Sequence, residues 1–365
     1  MVRSRHKNRR LLHLFLSVAC VATMSSTSDA QASAPAIKLK LVRKVGEGIS
    51  PKSVVASPQG IVIAQNMMYT HGVTAYDAEG TLLTRISDAV PMSMLGLKRS
   101  GGATGSPVEA AFSPDGTFAY VSNYQMYGSG FNKPGFDKCI AADGYDESYV
   151  YKIDMTKRRV VAAVRVGAVP KFLAVSPDGQ TLLVSNWCSS TVSVVDLATF
   201  REKRQVLVGR YPRGIAISND SGVAYIAVMG GGRIARVDLT TLKVKQWRSP
   251  NSTPRHILLS PDGSKLYVSH NIASVVAEVN ASNGRVLRRV TTGKAPRTMA
   301  MSPDGAALYV VNYDSNTVSV VDSTSMKVVQ TVNTPTHPIG VTFEPTKNRV
   351  WVASYHGTLL LYDRV

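Results

Sequence analysis

The chain has 365 residues and carries 42 Lys and Arg against 24 Asp and Glu, a formal net charge of +18. A hydrophobic fraction of 44% excludes an intrinsically disordered chain, and three cysteines exclude a disulfide-built miniprotein. The basic excess points to an anionic partner, although part of it is concentrated at the N-terminus.

That N-terminus comes first in chain order. Arg3, Arg5, Lys7, Arg9 and Arg10 precede an apolar run from Leu11 to Met24, and Ala30-Gln31-Ala32 follows. A basic start, a short apolar core and an A-x-A exit form the pattern of a secretory signal peptide over residues 1–32. The apolar core is shorter than the ~20 residues that a membrane-spanning helix needs. Cys20 offers a lipoprotein alternative, with Ser17 standing where a larger apolar residue is preferred. Cleavage after Ala32 would leave 37 Lys and Arg against 23 Asp and Glu, and no transmembrane segment. The expected location is therefore secreted, periplasmic or cell-envelope, and the expected domain is a single unit over 33–365.

That unit is repetitive. Ser-Pro-Asp-Gly or a variant recurs at Ser57, Ser113, Ser176, Ser218, Ser260, Ser302 and, degenerate, Glu344. From Ser176 onward the spacing is 42 residues; the first two gaps, 56 and 63, imply insertions at about 88–106 and 126–147. A proline precedes each anchor by about six residues: Pro51, Pro107, Pro170, Pro212, Pro254, Pro296 and Pro338. Each unit reads as four short β-segments bounded by Gly, Asn, Asp or Pro. Pro fixes φ, Asp bonds locally and Gly takes positive φ, so the anchor itself is a turn. Four antiparallel strands per ~42 residues predict an all-β, seven-bladed β-propeller. The last repeat stops after its third strand at Tyr362-Asp363, and Lys38 to Gly46 reads as the missing fourth. The N-terminal strand is thus expected to close the last blade and remove the free sheet edge.

Tyr120-Val121-Ser122-Asn123, Leu183-Val184-Ser185-Asn186 and Tyr309-Val310-Val311-Asn312, with Thr317 to Asp322 following, resemble the YVTN-repeat β-propellers of exported bacterial and archaeal proteins. The resemblance covers about Lys38 to Val365 and implies the fold far more than any one activity. Some members of that family are associated with DNA binding.

Strand order places the repeat prolines and both insertions on one face, here called the upper face. The residue after the repeat proline is basic in five blades: Lys52, Lys171, Arg213, Arg255 and Arg297; Val108 and Ile339 stand there in the other two. A ring of these cations at one channel mouth would focus positive potential and attract anions. The alternative is that they serve carbonyls and carboxylates of nearby loops. Tyr124, Trp187, Tyr313 and Tyr355 follow second strands and interleave with the ring, suited to ligand contact or to rim packing. His71 and His356 occupy the same loop of blades one and seven, and His270 and His337 are also on this face. Cys139 and Cys188 lie on neighbouring upper loops and read as a disulfide pinning the second insertion, with a free thiol pair or a metal site as alternatives. No metal or cofactor motif is present, and neither a G-x-S-x-G elbow nor a P-loop occurs.

The resulting expectation is an exported, monomeric, non-catalytic propeller. Its upper face would engage an anionic polymer, a nucleic acid or an acidic protein. Two alternatives stand beside it. Pro254-Arg255-His256-Ile257-Leu258-Leu259 resembles a segment of the seven-bladed lactonases and implies Arg255 and His256 as catalytic candidates. His270-Asn271 departs from the Asn-Glu of those enzymes. The other alternative is a propeller subunit of a periplasmic redox enzyme, whose cofactor a partner would carry.

Overall fold

The structure, a computed structural model, describes residues 37–46 and 48–365. The export signal at 1–32 and the lipid-acceptor alternative at Cys20 lie outside the described residues. Among the described residues no helix is long and apolar enough to cross a membrane.

Among the described residues, seven antiparallel sheets stand around one axis, six with their strands in chain order and one that joins the first strand to the last. Blade three is representative, with strands Pro170–Val175, Thr181–Asn186, Thr191–Asp196 and Arg201–Leu207 running from the axis outward. The Ser-Pro-Asp-Gly turn joining the first two strands is closed by side chains. Ser176 Oγ donates to Asp178 Oδ1 at 2.5 Å, and the Thr181 N–H donates back to Ser176 Oγ at 2.9 Å. Gly179 supplies the φ of 71° that the turn requires. The Asn of the signature ties the second strand to the third. Asn186 Nδ2 donates to Thr191 Oγ1 and Ser193 Oγ at 3.1 and 2.8 Å, and Asn312 repeats this on Thr317 and Ser319.

The ring closes with strands from both chain ends. Leu39–Val45 pairs with Thr358–Arg364, which pairs in turn with Arg349–Ser354 and Pro338–Glu344. Blades seven and one then share a core in which Trp351, Ala353, Leu359 and Leu361 meet Val54, Val62, Ala64 and Tyr76. Six blades have four strands. Blade two has five, because the first insertion is not a simple loop: it contributes Ala89–Pro91, which pairs with Gly102–Phe112. The second insertion lengthens the facing strand Phe118–Gly128 to match. Val90, Met92, Leu95 and Met126 are buried together between them, so the two insertions fold on one another.

Leu360 is 1% exposed in the blade-seven core, whereas Leu207 is 72% exposed. Leu360→Ala is expected to lower unfolding free energy by about 2–5 kcal/mol in denaturant titration. Leu207→Ala should stay within about 0.5 kcal/mol of the parent.

Candidate functional site

A repeated backbone device builds the upper mouth. The residues before five of the prolines, Val169, Tyr211, Thr253, Ala295 and His337, have φ of 55, 59, 57, 54 and 57°. None is glycine, and each such residue costs about 1–3 kcal/mol of backbone strain. Their carbonyls accept hydrogen bonds from the N–H groups of Trp187, Met229, Asn271, Tyr313 and Tyr355 at 3.0, 3.0, 3.3, 3.1 and 3.0 Å. The start of each inner strand is thereby joined to the loop carrying the aromatic position. Directly after each proline the pairing register shifts: between Pro170 and Phe172, Pro212 and Ile215, Pro254 and His256, Pro296 and Met299, and Pro338 and Ile339's neighbour Gly340. The residue in the irregularity is left out of the ladder and its side chain is re-aimed. In four of those blades the residue directly after the proline is Lys171, Arg213, Arg255 or Arg297, and Gly214 and Thr298 also fall outside the ladder.

The cations converge. Burial holds the Lys52 ammonium well below the usual lysine pKa, and Arg213, Arg297, Arg255 and Lys171 each push it further down. Burial also lowers Arg255 well below the arginine range, with Arg213 and Arg297 adding to the effect. The aromatics brace these charges. The Lys171 ammonium lies 4.1 Å from the Tyr124 ring centre and 5.2 Å from that of Trp187, and the Arg297 guanidinium is 3.5 Å from that of Tyr313. Lys52 stands 5.4 Å from the Tyr355 ring and Arg213 6.0 Å from Trp187. Such contacts contribute about 0.5–2 kcal/mol each and partly replace lost hydration. The interleaved rings therefore hold cations as well as lining the mouth.

Two acids join the ring. Asp137, in the second insertion, bonds Lys171 at 2.5 Å and accepts from the Tyr124 hydroxyl at 3.1 Å. Desolvation raises its pKa, but Lys171, Tyr124 and Arg213 outweigh that and bring it down to about 2. Burial, with Arg213, brings Lys171 down to about 7 despite Asp137. The position of Asp137 is set two residues away by the Cys139–Cys188 disulfide and by Trp187 Nε1, which donates to the Asp137 carbonyl at 3.0 Å. Glu109, two residues beyond Pro107, is the second acid. Burial raises it to about 7 against the opposing pull of Ser53, Arg213, Lys52 and Arg255. Glu109 belongs to the residue layer just below the cations, as does His256. Burial, Arg213 and Arg255 lower His256 to about 3. Its Nδ1 accepts from the Met299 N–H at 3.4 Å, which leaves the proton of the neutral ring on Nε2.

Three arginines remain without a counter-ion. Among the described residues no carboxylate lies within 4.0 Å of Arg213, Arg255 or Arg297, nor of Lys52. Arg255 Nη1 has only the thioether of Met229 at 3.9 Å, and the buried Nε of Arg297 has no acceptor.

The other histidines are placed elsewhere. His71 faces the first insertion, 3.0 Å from the Gly105 carbonyl and 3.4 Å from Asp88. His356 is exposed, and the hydrogen bond it makes is from its backbone N–H to Ser354 Oγ. His270 is buried against the Ser252 carbonyl. His337 stacks on Tyr313 with ring centres 4.2 Å apart.

A family model described as "Lactonase, 7-bladed beta-propeller" matches residues 209–345. That span contains Arg213, Arg255, His256 and Arg297. No curated protein matches the chain. A solved chain of Kuenenia stuttgartiensis Hydrazine Synthase superposes with a TM-score of 0.68 at 19% identity, covering 88% of this chain and 97% of that one. At that identity the likeness is one of fold.

The two shifted groups give stability a distinctive pH dependence. Glu109 has a folded pKa of about 7 against 4.5 for the free group, so its contribution is full below 4.5 and is lost as pH rises through 7. Lys171 falls from 10.5 to about 7, so folding is penalised below 7 and the penalty lifts as pH climbs toward 10.5. Glu109→Gln should remove the falling limb and Lys171→Met the rising limb in chemical denaturation across pH. A parent-minus-Glu109→Gln difference that is flat from pH 4.5 to 7 would contradict the burial of this carboxyl.

Proposed function

We propose that the upper channel mouth binds the anionic group, carboxylate or phosphate, of a ligand, and that the protein acts by binding. The supporting observation is the set of half-buried guanidinium groups of Arg213, Arg255 and Arg297, without carboxylate partners among the described residues. Buried donors left unpaired are unfavourable, and a guanidinium fork matches carboxylate and phosphate oxygens in pairs. The cations point to one axis instead of following a surface stripe. That favours a single anionic group over a continuous nucleic-acid strand, which a groove tracking the backbone would suit. Export of a YVTN-type propeller belongs to the same proposal, on the N-terminal pattern and the repeat signature.

Titration calorimetry with phosphate, acetate and citrate tests it. Citrate should bind, more weakly at high salt, and Arg255→Gln should weaken it roughly tenfold or more, the loss of a charge-assisted hydrogen bond. Affinity should also fall as pH rises through about 7, because Lys171 loses a charge while Glu109 gains one. No binding by any of the three anions, or affinity indifferent to Arg255→Gln, would refute the reading.

A second reading, lactone hydrolysis, is favoured by the family match over 209–345. Ionised Glu109 would take a proton from water as the water oxygen attacks the lactone carbonyl. A guanidinium and His256 Nε2–H would hold the oxyanion, and the ring alkoxide would leave with the proton from Glu109. A panel of lactones followed for acid release decides: turnover abolished by Glu109→Gln and lowered by His256→Ala supports hydrolysis. Turnover in neither parent nor variant removes it.

A further inference from the structure

Below the layer of Glu109 and His256 lies a chamber of about 520 Å³. Phe112, Ala174, Leu258, Met301 and Phe343 line it, and it extends down to Pro58, Pro114 and Pro177 in the lower turns. These five wall residues are all half-buried, so the chamber presents apolar surface that the protein itself does not cover. Apolar surface of that kind marks a binding site more often than a packing fault. Among the described residues, Glu109 and His256, both at the upper end, are the only ionisable side chains in its lining.

In the layer between chamber and cations, two rings occupy one side. Phe172 and His256 meet edge to face with ring centres 5.1 Å apart, across the blade that carries Gly214. A Cβ on Gly214 would come within 2.8 Å of His256 Cα, so glycine permits the close approach of these two inner strands. On the opposite side the layer holds only the small residues Ser53, Thr298 and Gly340. Ser53 Oγ turns to Gln65, and Thr298 Oγ1 turns to the Ile339 carbonyl at 2.9 Å. One residue step along a strand, about 3.3 Å, separates this layer from the cations.

We infer that the ligand is an amphiphilic carboxylate, its head held by the cation ring and its unbranched apolar chain extended down the chamber. The inference rests on the anion-binding reading of the mouth and adds the identity of the rest of the ligand. Charge complementarity fixes the polarity of the occupant: positive potential at one end of the channel, uncharged apolar walls toward the other. A purely apolar ligand would leave the arginine donors unpaired, and a compact polyanion would leave the chamber walls wet.

The probes are butyrate, octanoate and dodecanoate, titrated into the full chain by calorimetry at constant salt. Burial of each added methylene should tighten binding roughly two- to fourfold until the chamber is filled. Ala174→Phe, which fills the chamber without adding charge, should reduce dodecanoate to about the affinity of butyrate. Ala111→Phe, at another point of the same wall, serves as the second variant. Equal affinity for all three carboxylates would overturn the inference while leaving the anion site intact. Length dependence that survives both substitutions would place the chain elsewhere and equally overturn it. Failure of all three while citrate or phosphate still binds would overturn the inference and leave the anion site standing; failure of citrate and phosphate as well would remove both readings.

Discussion

The mouth of this propeller depends on one backbone contact repeated five times. A non-glycine residue held at positive φ turns its carbonyl toward the N–H that follows a second strand, and the next residue is a proline. The proline has no N–H to give to the ladder, so regular pairing fails at that point. The residue after it then projects toward the axis. Strain at Val169, Tyr211, Thr253, Ala295 and His337 is sustained by the packed blades on either side. The same hydrogen bond fixes the loop whose aromatic side chain backs the cation in blades three and six, Trp187 for Lys171 and Tyr313 for Arg297. Position and electrostatic support therefore come from one local arrangement.

Five converging cations would repel one another severely without compensation. Three devices moderate the repulsion. Aromatic faces take the place of water around Lys171 and Arg297, Asp137 is pinned over Lys171 by its neighbouring disulfide, and Glu109 sits beneath the ring. The compensation is asymmetric. Asp137 serves the blade-three side, while Arg255 and Arg297 on the far side have no acid of their own among the described residues. On the proposed reading, this imbalance would be met by an external anion whose apolar remainder extends into the chamber beneath.

Much of this architecture was legible in the sequence, for reasons of repetition. Ser-Pro-Asp-Gly turns, Asn bridges and alternating strands recur at a fixed period, so a local rule read once could be read seven times. The closing strand Leu39–Val45 followed from a missing fourth strand, and the cation column from a fixed offset to proline. What escaped lay where repetition fails. Asp137 is in an insertion without a counterpart in other blades, so nothing marked it as facing Lys171. The insertions' joint fold, with a fifth strand in blade two, was hidden for the same reason. Glu109 left a trace: the same offset holds Ser53, Phe172, Gly214, His256, Thr298 and Gly340, and an acid in that column is out of place. His71 and His356 share a loop position, yet one faces the first insertion and the other is exposed, a difference that spacing does not encode. The aromatic positions follow the repeat, whereas the turning of their faces to cations depends on side-chain geometry and not on spacing.

The most direct measurement is a crystal structure grown with bromide in the solvent, read through the anomalous signal of the halide. Anomalous density between Arg213, Arg255 and Arg297 is the predicted result. Density confined to surface lysines, with none at the mouth, would contradict the account.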